Sequence, residues 1–375
     1  MKLLNKIENL LSKKYILYLI IIIFWLYTVG YEYYYLVIKH DSWILGDWLI
    51  NYQDGGFKRR GFMGTVFLKI YDIFRIPLDI QVFLFLSMLY TFFYIQLYQL
   101  IRNKKNVISI LFLFLVPIGL QMPLIDPSIL GRKEIFLITL FLWFLNHSLH
   151  KKYRMFVLFL IIVVSLLVHE VVLFYLPYFF YVTFVLENNK WKPKYILIFL
   201  LPILLGFYMF LFGKIINHGE TYTLLENRGL FIEKDGILDY DVNFDVLGYY
   251  KANIFNYLLY SISYLFSIIF ITIYLLNHNF PKKNRLILFY VLSFLYSIPL
   301  FYMATDWGRW LFIHFVLMTF ILVKYADKEN KSYNKLMIFI LPTHFLWGMS
   351  ITYLGFHFYT KLNLIMTKIF YYLNA

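Results

Sequence analysis

Four short polar motifs interrupt an otherwise apolar sequence. They are GGFKRRG (residues 55–61), DPSILGRKE (126–134), the pair His169-Glu170, and DWGRW (306–310). In the first, two glycines free the backbone ahead of Lys58, Arg59 and Arg60. Glycine-rich turns expose amides and the arginine fork matches phosphate oxygens, so the motif reads as a diphosphate clamp. The plainer reading is a basic patch against lipid headgroups. Asp47 and Asp54 precede it, and each is open as a general base, an orienter of the arginines or a turn residue. In DPSILGRKE, Asp126 before Pro127 starts a turn and Glu134 suits a helix N-terminus. Arg132 and Lys133 do not suit that positive end, and a bound anion there resolves the conflict. His169 and Glu170 are ionisable neighbours in an apolar stretch. Burial tunes such groups toward proton transfer; alternatively the pair locks two helices together. In DWGRW, Asp306 and Arg309 form either part of a site or a local ion pair between tryptophan anchors. Tryptophan faces also stack on sugars.

No metal or cofactor is expected. His147, His150, His169, His314 and His344 share no ligand spacing, and Asp239-Tyr-Asp241 sits among too many acidic neighbours to be specific. Cysteine is absent, which removes disulfides, thiol nucleophiles and thiolate sites.

The elements that carry these motifs are membrane helices. The chain is 61% hydrophobic with a mean hydropathy of +0.67, outside the range of a soluble domain. Apolar runs predict spans at about 15–38, 79–101, 107–121, 134–150, 155–168, 171–186, 195–217, 254–277, 286–303, 310–326 and 336–355. The expected fold is all-α: a single polytopic transmembrane domain over residues 1–375, with about 11 helices. Residues 356–375 either lie outside or form a twelfth. Connectors on one side hold more than half of the 35 Lys and Arg, with Glu8, Glu187, Asp327 and Glu329 as their acids. The positive-inside rule therefore puts the N-terminus in the cytoplasm. The net charge of +14 is topology and gives no reason to expect nucleic acid. The first span follows a basic head without a small-residue cleavage site, and reads as a retained anchor.

This topology sends all four motifs to the outer face, where the larger loops are 39–78 and 218–253. Residues 64–74 suit a short interfacial helix. The acidic 218–253 segment suits a lid, an acceptor-binding loop or a structured plug. Spans 155–168 and 171–186 are short and meet at His169-Glu170, the apex of a hairpin within the outer leaflet, with Pro177 bending the returning arm. Pro117, Gly119, Pro123 and Pro127 break the helix ahead of DPSILGRKE. No internal repeat or pair of matched halves appears, which argues against a flippase or transporter.

Candidate substrate-binding cations are Lys58, Arg59, Arg60, Arg132, Lys133 and Arg309. Candidate catalytic groups are His169, Glu170, Asp126 and Asp306. Cations that hold a phosphate leaving group beside a base that activates a hydroxyl suit metal-independent glycosyl transfer from a lipid-linked diphosphate. In size, helix number, large late loop, outer arginines and the motifs GGFKRRG, GRKE, HE and DWGRW, the chain resembles the Wzy-type polysaccharide polymerases of bacterial O-antigen and capsule pathways. The resemblance implies transfer, at the periplasmic face of the inner membrane, of an undecaprenyl-diphosphate-linked glycan onto another lipid-linked repeat unit. It implies that Arg59, Arg60, Arg132 and Arg309 hold diphosphate and that His169 or Glu170 serves the acceptor hydroxyl. A chain-length regulator and a flippase are the implied protein partners. An alternative is a glycosyltransferase using a polyprenyl-monophosphate sugar, with a catalytic acid in the first outer loop at Asp41, Asp47 or Asp54. An acyltransferase would place an Arg/His pair nearer the cytoplasmic entrance.

Overall fold

A computed structural model of the chain describes residues 2–54, 56–147, 151–187, 192–213, 219–234, 236–239, 245–280, 283–326, 333–352 and 355–358. Gly55, His150, Asp241 and residues 359–375, which include most of the suggested twelfth span, lie outside them. Among the described residues the chain is helical, apart from one antiparallel ladder that pairs Trp347 with Phe358 and Gly348 with His357. Five helices are long and apolar enough to cross a membrane: Lys14–Ile38, Leu78–Ile101, Ile254–Asn277, Arg285–Met303 and Trp307–Tyr325. Shorter apolar helices run over Glu134–Asn146, Tyr153–Val168, Glu170–Leu186 and Ile196–Phe212. This is the build of a helical membrane protein.

The chain packs as two compact units. One comprises Met1–Leu19, Asn103–Ile129 and Asp245–Ala375; the other comprises Ile20–Arg102 and Leu130–Phe244.

The first unit is built on Trp307–Tyr325, whose residues from Gly308 to Val323 are all buried. A helix apolar on every side belongs inside a bundle. The helices Val107–Phe114, Ile254–Asn277, Lys283–Tyr296 and Ile298–Met303 pack on it. Buried polar groups in this unit pair off. The Asn277 amide donates to Ser109 and to Asn334, each at 3.0 Å, and His314 lies 2.7 Å from the Ser297 hydroxyl.

Two expected spans end early here. The helix Val107–Phe114 stops before Pro117, and a Cβ at Gly119 would stand 3.0 Å from the Phe315 ring. The 336–355 span is a helix only to Ile340. A 3-10 turn with Pro342 then carries the chain into the two-residue ladder. The missing proline N–H ends the helix, and neighbours satisfy the freed backbone. The Ile351 amide donates to Asp126 at 2.8 Å, and the Ile351 carbonyl accepts from the Gly308 amide at 3.1 Å. Irregular backbone is tolerated at membrane depth where protein surrounds it.

In the second unit Leu78–Ile101 packs along Glu134–Asn146. The interfacial helix forms, from Gly61 to Phe74, and lies on Ser42–Leu49 and Lys151–Val168. The arm after His169 is helical but irregular: a 3-10 turn over Glu170–Tyr175, an α turn containing Pro177, and a π turn over Tyr181–Leu186.

Candidate active site

In the second unit, three segments distant in sequence bring their charged residues together. The first carries Asp47 and Arg60. Asp41 caps the helix Ser42–Leu49 by accepting from the Trp43 and Ile44 amides at 3.1 and 2.8 Å. Asp47 falls on the buried side of that helix. The Trp48 indole donates to the Gly131 carbonyl at 2.6 Å and so docks the helix on the second segment. The Gly61–Phe74 helix approaches so closely that a Cβ at Gly64 would stand 2.1 Å from the Ile50 carbonyl oxygen. Arg60 begins that helix with a left-handed φ of 63°, a conformation that non-glycine residues adopt at a cost.

The second segment turns at Gly131, where φ is +76°, then presents Lys133 and Glu134 at the start of Glu134–Asn146. The third is the break at His169, between Lys151–Val168 and the 3-10 turn it caps by accepting from the Val171 amide at 3.2 Å.

Arg60 is the centre of the group. Its Nε lies 3.1 and 3.0 Å from the two Glu170 oxygens, its Nη2 lies 2.8 Å from Oε1, and its Nη1 is 3.6 Å from Asp47 Oδ1. Lys133 Nζ is 3.5 Å from the same Asp47 oxygen, donates to the Arg60 carbonyl at 3.2 Å and stands over the Trp48 ring at 5.5 Å. His169 Nε2 lies 3.2 Å from Glu134 Oε1, and its Nδ1 is 3.5 Å from Glu170 Oε2. Glu134, Lys133 and His169 are buried, whereas the Arg60 and Glu170 side chains retain 25% and 18% exposure and form the reachable edge.

Burial opposes the charge of Asp47. The attraction of Lys133, then of Arg60, His169 and Arg132, outweighs it and holds the carboxyl below the usual carboxylate range. On Lys133 burial prevails over the pull of Asp47 and lowers the ammonium from its ordinary value. Asp47 Oδ1 faces two cations at ion-pair distance but accepts no hydrogen bond among the described residues. It therefore retains capacity for a proton. Glu170, by contrast, is bound by three contacts from Arg60.

The three basic residues of GGFKRRG separate. Lys58 turns inward to a buried ion pair with Asp54, whose other oxygen accepts from Thr221. Arg59 lies on the helix Ile196–Phe212, over the Phe210 ring at 4.8 Å. Only Arg60 enters the charged group.

The described part of the acidic 218–253 segment is a packed strap. The Thr221 contact fixes one end, and Arg228 donates to Asp72 at 3.0 and 3.1 Å. Further along, a Cβ at Gly46 would meet Ile237 at 2.8 Å, and one at Gly236 would meet the Ser42 carbonyl at 2.5 Å.

Asp126, Asp306 and Arg309 belong to the first unit. Asp126 accepts from the Ser128 amide at 3.2 Å, from the Ser128 hydroxyl and from Ile351. Asp306 pairs with Arg309 one turn on, and the Arg309 guanidinium lies 4.4 Å from the Trp310 ring centre. Trp307 donates to the Phe301 carbonyl at 2.7 Å within a cluster of Tyr250, Tyr257 and Tyr260. These motifs thus include the turn and local ion pair of the plainer readings.

Among the described residues no group of three or more His, Asp or Glu is placed to hold a metal ion. The sequence offers one signal for Asp47 beyond its place in the first loop: a charge inside SWILGDWL, between residues that bury. Glu32 is a fully buried acid within Lys14–Ile38 that no motif marks. Compared with known protein families, curated proteins and solved structures, the chain has no match.

Proposed function

We propose that the chain is a metal-independent polysaccharide polymerase of the bacterial inner membrane, with about eleven spans and a cytoplasmic N-terminus. It transfers an undecaprenyl-diphosphate-linked glycan onto the hydroxyl of another lipid-linked repeat at the outer face. In this reaction the acceptor hydroxyl gives its proton to a carboxylate. Its oxygen forms the new bond to the anomeric carbon, the carbon–oxygen bond to phosphate breaks, and polyprenyl diphosphate leaves. Arg60 and Lys133, with Arg59 and Arg132 nearby, hold the departing charge, and Glu170 or Asp47 takes the proton. His169 acts as a positioning residue, since its two nitrogens face Glu134 and the Val171 amide.

The observation that carries this reading is the convergence of Arg60 and Lys133 on Asp47 and Glu170 from three separated segments. Buried ionisable groups in a membrane protein are functional candidates by default.

The test is deletion and complementation, read on a lipopolysaccharide or capsule gel. Loss of the long ladder with a single repeat retained is expected; loss of even the single repeat overturns the assignment. A second reading, transfer of one sugar from a polyprenyl monophosphate, is favoured by the open oxygen of Asp47, an acid of the first loop. Supplying the purified chain with each donor separates the two.

A further inference from the structure

Of the three cations in GGFKRRG, one has no counterpart inside the fold. Lys58 is buried against Asp54, and Arg60 is held by Glu170 and Asp47. The charges of Arg60, Lys133, Asp47 and Glu170 balance, which leaves Arg59 as an added cation beside Glu170. Its Nε is buried with no hydrogen-bond partner among the described residues, and a buried donor left unmade is costly.

The seat of Arg59 is specific. Its guanidinium lies over Phe210, and a Cβ at Gly213 would stand 2.7 Å from its Cγ and 3.1 Å from its amide nitrogen. Glycine at 213 therefore makes room for this side chain. Phe57, two residues earlier, rests on the same helix end, 5.7 Å from the Tyr208 ring. Beside this seat the last turn and a half of Ile196–Phe212 is apolar and open, with Phe207 61%, Leu211 71% and Phe212 63% exposed.

We infer that Arg59 is the phosphate hook for a polyisoprenyl phosphate whose hydrocarbon chain lies along the exposed Phe207–Phe212 face. The inference rests on the lipid-phosphate reading above and adds a division of labour: Lys58 supports the loop, Arg60 belongs to the reacting group, and Arg59 holds the carrier. A phosphate monoester carries up to two charges at neutral pH and accepts bidentate bonds from arginine. It matches an unpaired guanidinium at the end of an apolar helix, where the charge meets the headgroup and the chain meets the apolar face.

The experiment is equilibrium binding of undecaprenyl phosphate to the full chain in phosphatidylcholine nanodiscs. Arg59→Ala is expected to weaken binding by about tenfold or more, the loss of one charge-assisted bond. Gly213→Val, which displaces the side chain without removing it, is expected to do the same, and Arg59→Lys to restore part of the affinity. Arg228→Ala serves as the control and binds as the native chain does. Wild-type affinity in Arg59→Ala overturns the inference, as does absence of binding by the native chain. Equal displacement by phosphatidylglycerol or by inorganic phosphate also overturns it, by making the site a general anion seat. The failure of the enzyme reading looks different. If cells lacking the gene still build polymer while Arg59→Ala loses the lipid, the hook stands and the polymerase falls.

Discussion

Two groups of charges, one in each unit, use the same residue types in opposite ways. In the first unit Asp306 bonds to Arg309 three residues on, and Asp126 takes bonds from Ser128 two residues on. A turn or a helix start is enough to explain them. In the second unit Arg60 reaches Glu170 across 110 residues, and Lys133 meets Asp47 from another segment. No single element needs these contacts for its own formation. Bringing like and unlike charges together in a buried place is expensive, and a fold that does so across three segments is holding them for a use outside secondary structure.

The largest expected effect tests whether the second group acts as one unit. Asp47→Ala leaves Lys133 buried beside Arg60 with its nearest carboxylate gone. Breaking a buried pair from one side costs about 3–5 kcal/mol, so the melting temperature should fall steeply; an unchanged melt breaks the contrast. The same residue sets an acid limit. Its carboxyl is held below the usual range in the folded chain. Its contribution is therefore complete above the unfolded value of about 4 and is lost as pH falls through the folded one. Acid titration of Asp47→Asn should show a flatter decline below about pH 4 than the native chain.

Next in size, Glu170→Gln should lower glycosyl transfer by about a hundredfold or more with a smaller loss of stability. Transfer at the native rate would remove Glu170 from the chemistry. Asp306→Asn should do the reverse. It should cost about 1–2 kcal/mol of stability while transfer per folded molecule stays near native, and a loss of transfer at native stability would move the first unit's pair into the reaction. Smallest of all is Asp72→Asn. The Asp72 side chain is 43% exposed where it meets Arg228, and such surface pairs contribute little, so the melt should stay within about a degree.

Long apolar helices were legible because length and hydropathy are local properties. The helices at 78–101 and 254–277 fall within a residue of expectation, and the interfacial helix begins at Gly61 where residue 64 was expected. Reading failed where a proline or a distant partner redirects the backbone. The 336–355 run is apolar enough to span, yet Pro342 and the bonds of Ile351 to Asp126 and Gly308 turn it into a short irregular segment. The site followed the same division. That GGFKRRG, RKE and HE carry charges to a single group was readable from their clustering. The roles of Lys58, Arg59 and Arg60 were not, because each is decided by a residue far away: Asp54 with Thr221, Phe210, and Glu170. Asp47 carried the weakest local signal and occupies the centre, since its partners come from two other segments.

The contact between Thr221 and Asp54 also orders events in time. The two residues are separated by 167 positions, which a ribosome covers in roughly 10–30 s. For that interval the loop bearing Lys58 has left the ribosome while the helix that completes its surroundings has not been made. The loop therefore cannot take its final form until the Gly219–Glu226 helix arrives, so the cationic motif, written early in the gene, is among the last parts of its unit to set.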